Sequence, residues 1–368
     1  HLIVEGKSTL SKKRREIMKK ALSVLAATSF AIFLAAGCSQ SSAPEQSEAP
    51  NAEKAAEESS NEELPVYTPV FGCHLPESSV IVQGFQRLID EMDEKTGGRF
   101  QATLSHSGQL GSERDILEAC NLGSVDFCIG EANLLGNYVP AYNAFSLPFL
   151  FDTAEQYLAC AEGEAGKKLN EALENATNLT TVASMSNGFR SVFLKKPVNS
   201  LADLQGVKIR TPESTIYVDT FTALGANPTP VNANEMYSAI QTGVVDGMEN
   251  VNETIVSYKI YEVVSNCTIT KHIHNDQLLM ANKNFIESMA EEDRALLEEI
   301  ALETAHWITE QSKVLDETYR KELEDYGIVY NEVDLAEFRE AVSKIYDDYV
   351  AKDPMIQEII DEVEAMRE

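Results

Sequence analysis

Arg210 is the residue whose surroundings in the chain say most about chemistry. It ends the short apolar stretch Val207-Lys208-Ile209 and is followed at once by Thr211-Pro212. That pattern predicts a strand delivering a guanidinium to a helix start, with Thr211 as N-cap and Pro212 in the first turn. Such a guanidinium suits a carboxylate: its planar fork donates two parallel charge-assisted hydrogen bonds, and the helix dipole adds attraction. Further on, Gly243-Val244-Val245 leads to Asp246, Glu249 and Asn250. These polar groups follow a second predicted strand, and ligands of open α/β sheets bind at strand ends of this kind. Arg190 sits between two more predicted strands, residues 181–186 and 192–194. Each residue also has a purely structural reading. Arg210 could form a helix-start salt bridge, Arg190 could pair with a surface acid, and Asn250 could cap a helix beginning near Asn252.

The elements that must carry these groups follow from apolar spacing. Residues 65–72 predict a first strand. Residues 78–95 predict a helix, with Val82, Phe85, Leu88, Ile89 and Met92 on one face and Thr96-Gly97-Gly98 as its stop. Residues 99–104 alternate like a strand. Ser112 caps a helix whose apolar face is Ile116, Leu117 and Cys120, Gly123 ends it, and residues 125–129 form the next strand. Residues 119–126 lie over residues 239–246: in both, a helix ends on Gly, a strand passes Asp, and an acid follows (Glu131, Glu249). The repeat predicts two α/β lobes built alike around a cleft. Residues 138–151 are apolar and broken by Pro, and predict a crossing segment packed inside. Helices are expected over 153–173, 212–224, 234–241, 290–326 and 335–366, with a short strand over 326–333.

The formal charge of −29, from 30 basic and 59 acidic residues, excludes nucleic acid as a partner, since phosphate binding needs a basic face. It does not exclude a small anion held by local arginines. Met18-Lys19-Lys20, the apolar run 21–36 and Leu34-Ala35-Ala36-Gly37-Cys38 predict an export signal ending in a lipidated Cys38, with Met18 as the natural start. The run is too short to read as a membrane span. Residues 39–63 are Ser, Ala, Glu, Gln, Asn and Pro, and predict a disordered acidic tether. Cys73, Cys120, Cys128, Cys160 and Cys267 are odd in number and widely spaced, which predicts buried thiols in place of a disulfide framework.

From about residue 64 to 346 the chain resembles the solute-binding subunit of TRAP transporters (tripartite ATP-independent periplasmic transporters), of the dicarboxylate-binding type. The resemblance rests on the order and spacing of several motifs. They are Gly108-Gln109-Leu110-Gly111, Leu147-Pro148-Phe149-Leu150-Phe151, Asn187-Gly188-Phe189-Arg190, residues 203–210 (DLQGVKIR), Gly225-Ala226-Asn227-Pro228, and residues 243–250 (GVVDGMEN). It implies an α/β, two-lobed periplasmic-binding-protein-like fold (type II-like) with crossing hinge strands and a long spanning helix. Lobe 1 would hold about 64–187 and part of 276–315, and lobe 2 about 188–275 and part of 316–368. It implies capture of a small organic acid for integral membrane permease subunits, outside the cytoplasm; the tether to the membrane by lipid is the expectation from Cys38. It also implies that Arg210 clamps the carboxylate, Arg190 is a second contact, Asn250 lies in the cleft, and Glu131, Glu113 and Arg114 lie near the ligand's other end. His272 matches a structural histidine. Met248, Val251 and Ala233 depart from the family's usual Gln, Pro and aromatic, and Ala233 reshapes the pocket.

Other chemistry is not supported. His272-Ile273-His274 would turn both rings to one face of a strand, but no further ligand is spaced to complete a metal site. Nucleophile-elbow, zinc-helix and phosphate-loop motifs are missing from the sequence, so no cofactor, metal or enzyme activity is expected. The rivals are a receptor for an ABC importer or a sensor kinase, and an exported carboxylate-processing enzyme. All leave the acid unnamed: a C4-dicarboxylate, sugar acid, keto acid and sialic acid share the same carboxylate.

Overall fold

The computed structural model describes residues 64–367. The expected leader, lipidated Cys38 and tether lie outside those residues. Among the described residues, no helix is long and apolar enough to cross a membrane.

One mixed sheet organises the chain. Its nine strands are β1 (Val70–Gly72), β2 (Thr103–Ser105), β3 (Phe127–Gly130), β4 (Leu179–Leu194), β5 (Lys208–Thr211), β6 (Asn227–Pro230), β7 (Gly247–Asn250), β8 (Asn266–Asn282) and β9 (Val329–Glu332). The order is β2-β1-β3-β8-β4-β7-β5-β6, with β9 also on β8. β2-β1-β3 and β7-β5-β6 are two small parallel units. The long antiparallel strands β4 and β8 run through both halves: β8 pairs with β3 over its C-terminal part, and β4 pairs with β7 over its last four residues.

The two units are the lobes that the internal repeat predicts. β1 pairs Phe71 with Phe127, and β5 pairs Ile209 with Gly247, at equivalent positions. The repeated aspartates do the same work in each. Asp126 Oδ2 accepts from Val70 N at 2.8 Å, and Asp246 Oδ2 accepts from Lys208 N at 3.0 Å. Each carboxylate satisfies the first N–H of the neighbouring strand and so sets its register.

Three apolar cores hold the lobes. One, including Phe71, Phe85, Phe127 and Ile308, lies under the first unit; a second, including Phe193, Ile240, Val245 and Leu323, lies under the second. The helix Glu291–Asp325 feeds side chains into both, and at 1.5 Å per residue it spans about 50 Å. The third core gathers the buried segment 138–151 and the C-terminal helices. The five described cysteines are free and buried, as expected.

Several boundaries differ from those the sequence suggests. The first strand starts at Val70, not at residue 65, because Pro69 has no N–H for the ladder; Tyr67 makes only an isolated bridge to Phe100. Thr211 does not cap a helix. It stays in β5, where its carbonyl accepts from Val231 N at 3.1 Å, and the helix starts at Thr215. The two strands expected around Arg190 are a single strand, β4. Its pairing with β8 is irregular between Ser186 and Phe189, where Gly188 takes φ 91°. Only glycine adopts that conformation readily, so the strand can bend there, between the lobes, without ending. The helices expected over 153–173 and 335–366 are each two, broken at Gly163 and before Pro354.

Candidate functional site

β1, β3, β5 and β7 bring their C-terminal ends to one cavity between the lobes. His74, Glu113 and Glu131 line it from the first lobe, Arg210, Pro212, Ala233, Met236 and Asn250 from the second, and Asn187, Arg190, Asn275 and Gln277 from the crossing strands. Its volume is about 30 Å³. For scale, a cavity that takes benzene is about 150 Å³, so the space as it stands is too small for a six-carbon acid.

The two arginines differ in what they have left to offer. Arg190 is fully buried, and all five of its N–H groups are used. Nε donates to Glu249 Oε2 at 2.6 Å, and Nη2 donates to Glu249 Oε1 at 2.8 Å and to its carbonyl at 3.3 Å. Nη1 donates to Glu131 Oε1 at 2.9 Å and Asn275 Oδ1 at 2.6 Å. Tyr217 stacks its ring 4.9 Å from the guanidinium carbon. Burial acts to raise the pKa of Glu249, but the charge and hydrogen bonds of Arg190, helped by His272 at 3.2 Å, hold it below the usual range. A ligand carboxylate on Arg190 would therefore have to displace a protein acceptor.

Arg210 is also buried, with 4% of its surface exposed. Its Nε donates to the Val231 carbonyl at 2.8 Å, which fixes the plane of the guanidinium. Among the described residues, neither terminal nitrogen has a hydrogen-bond partner or a carboxylate within ion-pair distance. Burial pulls its pKa down to about 10, which leaves it charged at neutral pH. A buried guanidinium with a free fork is costly, and an incoming carboxylate removes that cost.

Opposite lie the acids. Glu113 opens the helix Glu113–Asn121, held by the capping box of Ser112 and Asp115. Its Oε1 accepts from Glu131 N at 2.8 Å, and among the described residues its Oε2 meets only His74 Nε2, at 4.0 Å. Burial, then repulsion from Glu131, pushes the Glu113 carboxyl up to about 8. Burial and the charge of Arg210 hold His74 down at about 4, so it is neutral. Glu131 is fully engaged: besides Arg190, its Oε2 accepts from Asn133 Nδ2 at 2.7 Å and Tyr217 Oη at 3.4 Å. Asn250 uses Oδ1 on Val251 N at 2.8 Å, leaving its amide N–H₂ facing the cavity.

Of the residues singled out in the sequence, Arg210, Arg190, Asn250, Glu131 and Glu113 therefore meet at one cavity. Arg114 does not. It is exposed, lies on an outer groove with Leu117 and Tyr138, and reaches the Glu213 carbonyl at 3.5 Å. Sequence reasoning missed His74, Asn275 and Gln277. A signal for the last two existed: residues 274–277 are four consecutive polar residues inside a long buried strand. His272 and His274 are both buried, bonded to Glu249 and to Ser186 Oγ at 2.7 Å. Among the described residues, no cluster of His, Cys, Asp and Glu is arranged to hold a metal.

Residues 71–353 match the sequence profile of the bacterial extracellular solute-binding proteins, family 7 (DctP). The chain belongs to that family. It is similar to a solute-binding protein of Chromohalobacter salexigens, 30% identical over 279 residues, which make up 74% of this chain and 82% of the relative. A TRAP periplasmic solute-binding protein of Xanthobacter autotrophicus, solved with bound β-D-galacturonate, superposes with a TM-score of 0.77 at 28% identity, covering 81% of this chain and 99% of the other. Another, from Chromohalobacter salexigens with bound D-glucuronate, gives 0.77 at 28% identity over 80% and 98%. The family 7 chain is thus a TRAP solute-binding subunit with the two-lobed α/β fold, of a family of periplasmic solute-binding proteins.

Proposed function

We propose that this family 7 protein captures a small organic acid between its lobes and delivers it to TRAP permease subunits in the membrane. Lobe 1 comprises about 64–187 with part of 276–315, and lobe 2 about 188–275 with part of 316–368. Arg210 takes the carboxylate through its two terminal nitrogens, and Asn250 orients it. Glu131 and Glu113 face the far end. Arg190 holds Glu249 and Glu131 in place at the cavity wall, and Arg114 stays on the outer groove, away from the ligand. The observation that carries the reading is the buried Arg210 fork, pinned at Nε and free at both ends. The galacturonate and glucuronate in the related structures favour a sugar acid. Closure excludes water and strengthens the ion pair, so the ligand favours the closed form in proportion to its higher affinity for it. The signal ending at Cys38 supports export and a lipid anchor outside the cytoplasm.

Calorimetry with D-glucuronate and D-galacturonate tests the clamp. Arg210→Lys keeps the charge but loses the fork, and its affinity is expected to fall at least about tenfold. An affinity within a few-fold of the parent's rejects the clamp. Delivery to a TRAP permease predicts two integral membrane proteins, and no ATPase, encoded beside this chain.

A further inference from the structure

The cavity is polarised from lobe to lobe, and the polarity restricts what an acid can carry besides its carboxylate. The second lobe contributes donors: the free fork of Arg210 and the amide N–H₂ of Asn250. At the equivalent positions the first lobe has Gly72 and Gly130, which contribute no side chain. The space over Gly130 is taken by Met280 Cε, 3.1 Å from where a Cβ would stand, and by Glu113, whose Oε1 lies 3.3 Å from it. Glu113 Oε2 has no donor closer than His74 at 4.0 Å. Two further buried atoms on the cavity wall, Gln277 Oε1 and His74 Nδ1, have no hydrogen-bond partner among the described residues.

The charges lead the same way. Glu249 and one oxygen of Glu131 are neutralised by Arg190, and among the described residues lining the cavity Arg210 is the only cation left to the ligand. A single ligand carboxylate satisfies Arg210. With Glu113 ionised, above about pH 8, a second would become the third anion beside it and Glu131, in a site where those two already repel each other. Hydroxyl or ammonium groups would instead fill the acceptors that are unpaired.

Resting on the reading that Arg210 takes the carboxylate, we propose that Glu113 is a specificity-determining residue: it selects monocarboxylates whose far end donates hydrogen bonds and rejects dicarboxylates. The selection combines a matched acceptor with a repulsive one. A site built to hydrogen-bond a ligand's hydroxyls also rejects an analogue that lacks them, because its buried acceptors are left unpaired.

The test is a calorimetric panel at pH 9, where Glu113 is ionised and Arg210 is still charged. It uses D-glucuronate and D-galacturonate as hydroxylated monocarboxylates, ectoine as a cationic one, and succinate and L-malate as dicarboxylates, on the parent, Glu113→Gln and Arg210→Ala. At least one monocarboxylate is expected to bind the parent roughly a hundredfold more tightly than either dicarboxylate. Glu113→Gln is expected to narrow that ratio at least about tenfold, losing the monocarboxylate and gaining the dicarboxylate. A parent that prefers succinate or malate, or that binds no acid of either class, overturns the proposal. So does a Glu113→Gln variant whose ratio is unchanged while its thermal unfolding matches the parent's. Arg210→Ala separates the two readings. If it leaves all affinities intact the clamp fails, whereas a clamp that stands with an unchanged Glu113→Gln ratio sinks only the selectivity.

Discussion

The two small parallel units of the sheet are nearly the same object and do opposite things. β1 and β3 in one lobe match β5 and β7 in the other, residue for residue, down to the aspartate that caps the neighbouring strand. Yet the position that carries Arg210 in the second lobe is Gly72 in the first, and the position of Asn250 is Gly130. A side chain at 72 has nowhere to go: a Cβ there would stand 2.6 Å from Ile116 Cγ2. The first lobe packs its helix against the strand where the second leaves room for a guanidinium. It answers with carboxylates from beyond the strand end, Glu131, and from a helix start, Glu113. A duplicated scaffold thus gives a cleft with a cationic wall and an acceptor wall.

The comparison can be broken most directly at the two arginines. Arg210→Ala is expected to cost about 2–5 kcal/mol of ligand binding, roughly 30-fold to several-thousand-fold in Kd, with little change in thermal unfolding. Arg190→Met should do the reverse in kind: it strands Glu249 in the interior and is expected to cost about 3–5 kcal/mol of stability, read by denaturant unfolding without ligand. Equal stability losses for the two would remove the distinction between a gripping and a structural arginine.

Gly72→Ala probes the crowded lobe. Overpacking against Ile116 is expected to cost about 1–3 kcal/mol of stability. A neutral result would mean that the first lobe could have carried a side chain there.

Asp276 sits on β8, the strand both lobes share. Its Oδ2 accepts from Ala132 N at 2.6 Å, its Oδ1 has no partner among the described residues, and burial, then Glu131, pushes its pKa up to about 8. The sign follows: an acid whose folded pKa is raised favours the fold below its ordinary range and loses that contribution as pH rises through about 8. Asp276→Asn should therefore match the parent near pH 4 and exceed its Tm by on the order of 2–4 °C at pH 8.5. Scanning fluorimetry at both pH values decides it, and a pH-independent difference counts against the buried-acid account.

The smallest effect separates the repeated aspartates. Asp126 is half-buried and Asp246 exposed. Asp126→Ala is expected to cost about 1–2 kcal/mol and Asp246→Ala about 1 kcal/mol or less, because water replaces the lost acceptor more easily at the second. The reverse order would mean that the two caps are not equivalent.

Much of this was legible in the chain. The Gly-x-Val-Asp repeat announced two like lobes, because a helix stop, a strand and a capping carboxylate are local chemistry. The helix starting after Ser112 was readable for the same reason. Helix breaks at Gly163 and before Pro354 were missed because apolar periodicity continues across them. The first turn after Arg210 was misread because Thr211 has a β-sheet partner, Pro230, that local sequence does not reveal. The family resemblance placed Arg114 together with Glu113 near the ligand, but adjacent residues on a helix do not face the same way.

By itself, the sequence carried the ordered motifs by which the chain resembles its family, and its short-range patterns of apolar spacing, caps and turns determined two like α/β lobes and the delivery of Arg210 to a strand end. It could not tell Arg190 from Arg210. Which guanidinium is free depends on acceptors that arrive from far along the chain. Glu249 and Asn275 reach Arg190 through the pairing of β4 with β7 and β8, while among the described residues only a carbonyl reaches Arg210. That competition for donors exists only once the strands are in register, so it belongs to the tertiary structure.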